Sequence, residues 1–213
     1  RTGESAPLRT LLEGVAIASA NDAATAVAEH LGGTEEAFVA AMNAKAEELG
    51  LTHTHFANAH GLPDPSQRST AEDLARLTQR LLDDYPSSRP LLGGATFVYR
   101  GRVYSRRIPL FQDPGGVQAL KTGFTREAGY NLAISAWKSG QHFVLIVLGS
   151  QTRTLSFRDA KMVLRYGFHE TGLEVAPPAP APAIKNPTLF GLSRDLVFAV
   201  GDGGVVVTCL EAL

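Results

Sequence analysis

A single cysteine, Cys209, is the whole thiol complement of this 213-residue chain, so no internal disulfide is possible and cysteine usage leaves the redox compartment open. Charge of either sign is scarce in excess: 20 basic residues stand against 21 acidic ones, for a net charge of −1. That balance removes the electrostatic reason to expect nucleic acid or a charged membrane surface as a partner. No apolar run approaches the ~20 residues that span a bilayer, so membrane attachment is not encoded here. The chain begins at Arg1 without a methionine or a signal-peptide pattern, and the expectation is an excised or processed piece. What is present is ordinary for a globular protein, with 44% hydrophobic and 19% charged residues. The length suits one large domain, or one domain and a fragment of another.

The first half reads as helical. Leu8 to Ile17 carries helical apolar spacing and ends at Ser19-Ala20-Asn21. Asn21 or Asp22 is placed to cap a second helix, which Gly32-Gly33 stops. Thr34 is placed to cap a third, with Glu35 and Glu36 well set against its dipole and Gly50 at its close. Ser69-Thr70-Ala71-Glu72 has the form of a capping box before a helix that shows Leu74, Leu77 and Leu81 on one face. After Pro86 the period shortens. Hairpins are expected at 96–105 and 130–148, a strand at 117–123, and a last helix at about 156–166. Helices, then an antiparallel sheet, then a helix give an α+β or mixed α/β class. Residues 1–174 are expected to form this domain, 175–187 a stiff Pro/Ala-rich linker, and 188–213 the opening of a second β domain.

Two short motifs carry chemistry. Lys121-Thr122-Gly123 lies on the predicted strand, where Lys121 and Gly123 share a face and the glycine removes bulk beside the ammonium. A substrate can then approach the strand closely. Lys121 offers it a positive charge, Thr122 a hydroxyl, and the Phe124 N–H one oxyanion donor. Ser19-Ala20-Asn21 sits at a break between helices, where Ser19 is suited to relay a proton and Asn21 to hold a peptide backbone. Each motif also has a plain structural explanation: a surface lysine before a strand-ending glycine, and an asparagine that only caps a helix.

Together they say more. A helical Ser-x-x-Lys, a Ser-x-Asn and a Lys-Thr-Gly make up the site of penicillin-recognising serine acyl-transfer enzymes. The stretches Leu11-Leu12-Glu13-Gly14, Ser19 to Ala24, Thr54 to Leu62, Leu120 to Thr125 and Ala128 to Leu132, with Tyr166-Gly167-Phe168, resemble the D-alanyl-D-alanine carboxypeptidases among the low-molecular-mass penicillin-binding proteins. The resemblance implies a β-lactamase/DD-peptidase-like domain. It implies a serine peptidase, without cofactor, that removes the terminal D-alanine from peptidoglycan stem peptides through an acyl-enzyme which β-lactams trap. It also implies an extracytoplasmic location at the cell-wall face of the membrane. Ser19, Asn21 and Lys121 match the family's catalytic positions; Thr122, Gly123 and Phe124 match its substrate-binding strand. Phe124 stands where some relatives carry histidine, and Arg153 lies near the place of a carboxylate-binding arginine. The nucleophile motif is missing ahead of Ser19, so this chain is expected to be inactive without that segment.

Three features look functional and are set aside. Ser135-Ala136-Trp137-Lys138 has the form Ser-x-x-Lys, but on a strand its ends face opposite ways, ~10 Å apart along the chain. His53, His55 and His60 resemble a metal cluster without an acidic or cysteine partner close in sequence, and no metal is expected. Arg100, Arg102, Arg106 and Arg107 are read as a solvated hairpin. A class A β-lactamase would need a Glu-x-x-Leu-Asn element between Asn21 and Lys121, where His55 to Leu62 stands instead. A DD-endopeptidase and a non-catalytic muropeptide-binding protein remain the other readings.

Overall fold

A computed structural model describes residues 3–113 and 115–173, together with the backbone of 196–201 and 204–209. Its helical part begins with α1 (Leu8–Glu13), which widens into a π-helical turn, Gly14–Ala18. The turn ends on Ser19 in the left-handed region, at φ 52° and ψ 44°. A non-glycine residue there is held at a cost of about 1–3 kcal/mol, so surrounding contacts must fix it. α2 (Asn21–Gly32) follows immediately. Asn21 is the first helical residue, not the cap; the cap position is Ala20, and no side chain bonds there. The capping explanation for Asn21 therefore fails, and its carboxamide is left for other use.

α3 (Glu35–Glu48) starts as expected, with the Thr34 hydroxyl accepting the Ala37 N–H at 3.1 Å. α4 (Ala71–Asp84) is capped by Thr70, which accepts from Asp73 at 3.2 Å. The face α4 buries carries Ala71, Asp73, Ala75 and Leu82, whereas Leu81, expected inside, is exposed. A short helix, α5 (Ser88–Gly93), carries no periodic apolar signal and was not foreseen. The first hairpin, β1 (Thr96–Tyr99) with β2 (Arg102–Ser105), forms a separate two-stranded sheet.

The main sheet runs β3 (Val117–Thr125), β4 (Gly129–Lys138), β5 (Gln141–Ser150), then β7 (Gly204–Cys209) and β6 (Leu196–Gly201). β3, β4 and β5 are antiparallel neighbours, and β7 lies parallel to β5 through Val144↔Val206 and Leu145↔Val207. The strands β6 and β7, from the segment expected to open a second β domain, pair with each other and join this sheet. The linker expected at 175–187 lies outside the described residues. Gly116, at φ 71°, turns the chain against the Trp137 carbonyl, where a side chain would collide.

Period-two alternation gives the sheet two occupied faces. Leu120, Leu132, Ile134, Ala136, Phe143 and Leu145 pack on α6 (Arg153–Glu170), whose Phe157, Ala160, Leu164 and Phe168 complete one core. Phe143 and Phe168 meet edge to face at 4.9 Å. Each such side chain taken fully from water contributes about 1.5–3 kcal/mol. Ala133, Val144 and Ile146 face the other way, onto Ala71, Leu74 and Ala75 of α4. Lys121 pairs with Ala133 in register, so it shares this second face, towards the helices. The fold is a mixed α+β domain. Among the described residues, no helix is long and apolar enough to cross a membrane.

Candidate active site

β3 is an edge strand, and its free edge defines the site. The carbonyls of Gln118, Leu120 and Thr122 all point outward. Gln118 O abuts Gly93 of α5, Leu120 O accepts from Arg106 at 2.9 Å, and Thr122 O accepts from the Lys121 ammonium at 2.5 Å. In an antiparallel strand a residue's N–H and C=O leave on the same side, so the N–H groups of Thr122 and Phe124 also face outward. α5 and Arg106 cover the edge up to Leu120, and from Thr122 to Phe124 it opens into a cleft of about 610 Å³.

All seven residues singled out from the sequence line that cleft: Ser19, Asn21, Lys121, Thr122, Gly123, Phe124 and Arg153. The Lys121 Nζ donates to the Ser19 Oγ at 2.7 Å across a separation of 102 residues. Burial, with a smaller contribution from the nearby Arg106 charge, pushes the Lys121 pKa down to about 8. Around pH 8 the amine is thus poised between its two protonation states, while hydrogen-bonded to a hydroxyl. A side chain at Gly123 would meet nothing nearer than the Asn131 Cβ at 3.9 Å, so the glycine leaves room towards the cleft. Phe124 packs on Tyr130 with ring centroids 4.3 Å apart, yet is 57% exposed. Arg153 opens α6 after the Thr152 cap; it donates to the Arg107 carbonyl at 2.8 Å and lies over the Phe157 ring.

The far wall is the 56–62 loop, which the sequence reading left without a role. It is built almost wholly by side chains reaching backbone. Asn43 exchanges two 2.8 Å bonds with the Phe56 N–H and C=O. Gln67 accepts from Ala57 N, and Glu35 from Ala59 N. Below it, buried Asp73 accepts from His53 N at 2.9 Å and the Thr54 hydroxyl at 2.7 Å. The histidines do not converge. The His55 ring pairs with the Ser66 carbonyl, and His60 accepts from Leu62 N and lies 3.7 Å from Glu35. Among the described residues there is no group of three or more metal-ligating side chains.

Ser135 lies elsewhere, buried and bonded to His142 Nε2 at 2.8 Å, with no opening to the cleft. One expectation fails outright. Arg106 is not a solvated hairpin residue: it turns inward, half-buried, onto backbone carbonyls of Leu92, Gly94, Ala16 and Leu120.

The contact of a lysine and a serine in a cleft on the open edge of an antiparallel sheet is the arrangement in which the Ser-x-Asn and Lys-Thr-Gly motifs come together. The family profile of the D-alanyl-D-alanine carboxypeptidases matches residues 1–152, and the chain belongs to that family. It is 34% identical over 209 residues to D-alanyl-D-alanine carboxypeptidase DacC of Escherichia coli K12, a match that spans 97% of this chain and 52% of DacC. Among solved structures it resembles penicillin binding protein 6B of Escherichia coli at 34% identity and TM-score 0.72, over 78% of this chain and 53% of that one. It also resembles penicillin-binding protein D2 of Listeria monocytogenes, solved in a cefotaxime-bound form, at 30% identity and TM-score 0.69, over 81% of this chain and 69% of that one. The chain spans about half or less of the curated carboxypeptidases it matches.

Proposed function

We propose that this chain forms the substrate-holding part of a serine-type D-Ala-D-Ala carboxypeptidase of the bacterial cell wall, acting on the extracytoplasmic side of the membrane. The single observation that carries this is the 2.7 Å contact between Lys121 and Ser19 beside an open strand edge. A stem peptide ending in D-Ala-D-Ala lies extended along Thr122 to Phe124 and adds a strand to β3. Its terminal carboxylate meets Thr122 and the cationic side chains of Lys121 and Arg153, and the Asn21 amide holds its backbone. A serine hydroxyl attacks the penultimate D-alanine carbonyl as its proton passes to the lysine of its own Ser-x-x-Lys, the Phe124 N–H supports the oxyanion, and the C–N bond breaks to release the terminal D-alanine. Ser19 passes a proton to the departing amine and is recharged by Lys121. Water then releases the acyl group. β-Lactams, whose ring carbonyl and carboxylate mimic this dipeptide, occupy the same cleft.

The attacking serine belongs to a helical Ser-x-x-Lys, which the 213 residues do not contain. Intact-protein mass spectrometry after incubation with a fluorescent penicillin tests the reading. The expected result is no adduct on this chain, and a stable adduct once a relative's Ser-x-x-Lys helix is joined upstream. An extended chain that folds but neither labels nor releases D-alanine refutes it. Rapid turnover of penicillin by the extended chain would indicate a β-lactamase instead.

A further inference from the structure

We propose that Arg106 is a positioning residue that sets Ser19 against Lys121 and ends the open edge of β3. Arg106 is not among the residues that line the cleft. It gathers three elements at one point. Nε donates to Gly94 O at 2.8 Å, one terminal nitrogen to Ala16 O at 3.0 Å and Leu120 O at 2.9 Å, and the other to Leu92 O. Phe111 covers it, with its ring centroid 5.5 Å away.

Each acceptor has a consequence for the site. Ala16 lies in the π-helical turn that delivers Ser19 in its left-handed conformation, and such a turn leaves carbonyls without helical partners. Leu120 is the residue before Lys121, and bonding its carbonyl closes the edge where substrate pairing must stop. Leu92 and Gly94 fix the end of α5 against the same strand. A planar fork with five donors serves these acceptors together; an ammonium has neither the span nor the geometry.

The charge has its own role. Among the described residues no carboxylate pairs with Arg106, so a half-buried cation is satisfied by neutral carbonyls alone, an arrangement that disfavours folding. The other ionisable groups facing the cleft are Arg153 from α6, His60 from the α3–α4 loop and Tyr130 from β4, and none is a carboxylate. The positive field of Arg106 is therefore not cancelled at Lys121, where it adds to burial in favouring the neutral amine.

Two variants separate geometry from charge: Arg106→Lys keeps the charge and loses the fork, and Arg106→Met loses both. Three readouts are followed in the intact chain: NMR titration of Lys121 Nζ, hydrogen exchange of the Ala20 amide, which bonds to Gly14 O, and calorimetric binding of an N-acetylated tripeptide ending in D-Ala-D-Ala. For Arg106→Lys the Lys121 midpoint is expected to stay near 8, while Ala20 exchanges faster and peptide affinity falls about tenfold. For Arg106→Met the midpoint also moves up. The proposal is overturned if Arg106→Lys leaves both Ala20 exchange and affinity unchanged, or if folded Arg106→Met leaves the midpoint in place. It is equally overturned if β4 and β5 core amides of Arg106→Lys exchange as fast as Ala20, since that marks a role in stability only. The peptide arm rests on the proposed function. Should the unaltered chain bind no peptide while the other two arms respond, that function fails and the positioning role stands.

Discussion

Replacing Lys121 by methionine should make the chain's stability less dependent on alkaline pH, and the structure sets the size of the effect. Folding moves the Lys121 pKa from 10.5 to about 8, chiefly through burial. Below about 8 both folded and unfolded chains carry the proton, and the folded state bears the full penalty of a partly buried ammonium. Between about 8 and 10.5 the unfolded chain holds a proton that the folded chain has released, so stability rises with pH across this window. Above it neither state is protonated and the penalty is gone. At 1.36 kcal/mol per unit the whole window is worth ~3 kcal/mol, and solvent at the cleft mouth lowers the expectation to about 2 kcal/mol. Lys121→Met removes the titration and also loses the bond to Ser19, but that loss is a constant offset. Urea unfolding of both proteins at pH 7, 8, 9 and 10 isolates the variable part, because every other titrating group cancels in the difference. The original chain should gain about 2 kcal/mol on the variant between the lowest and highest pH. A difference that stays flat would refute the buried, depressed lysine and the proton relay that depends on it.

Asp73→Ala, which strips the acceptor from His53 N and the Thr54 hydroxyl, should destabilise by about 2–4 kcal/mol in denaturant unfolding and loosen the loop opposite β3. Gly93→Ala puts a methyl group into the Gln118 carbonyl of β3; the expected outcome is a loss of about 2–3 kcal/mol and weaker ligand binding in the same titration. Phe124→Ala should change stability by less than about 1 kcal/mol, since its ring is mostly exposed, and should leave penicillin labelling of the Ser-x-x-Lys-extended chain largely intact if only the Phe124 N–H is used.

What was legible in the sequence was whatever announces itself locally. Thr34 and Thr70 cap because a hydroxyl beside an amide run needs no distant partner, and the strand expected at 117–123 and the hairpin expected at 130–148 were marked out by apolar runs between turn residues, the observed strands extending them to 117–125, 129–138 and 141–150. Lys121 and Ser19 were legible as a pair only through a known pattern, because nothing between positions 19 and 121 says that they touch. The failures share a cause. α5 has no periodic apolar stripe, as it is held by close approach to β3 and not by burying a face. Leu82 is buried in place of Leu81 because α4 turns the face of Ala71 and Ala75 to the sheet, and successive residues of a helix lie about 100° apart around its axis. Asn43, whose amide bonds both backbone groups of Phe56, reads in sequence as one polar residue on a helix.

Arg106 is the sharpest case. Four arginines within eight residues look like a solvated basic hairpin, and composition offers no way to distinguish the one that turns inward. The distinction is made by acceptors from three remote elements, two of which end with a carbonyl unpaired because of their own irregularity: a π-helical turn and a one-turn helix. Irregular backbone at the site thus creates the demand for a buried cation, and that cation adds to burial, the larger cause, in lowering the Lys121 pKa. The strain at Ser19, the closed half of the β3 edge and the depressed lysine are consequences of one arrangement, so perturbing any of them should register in the other two.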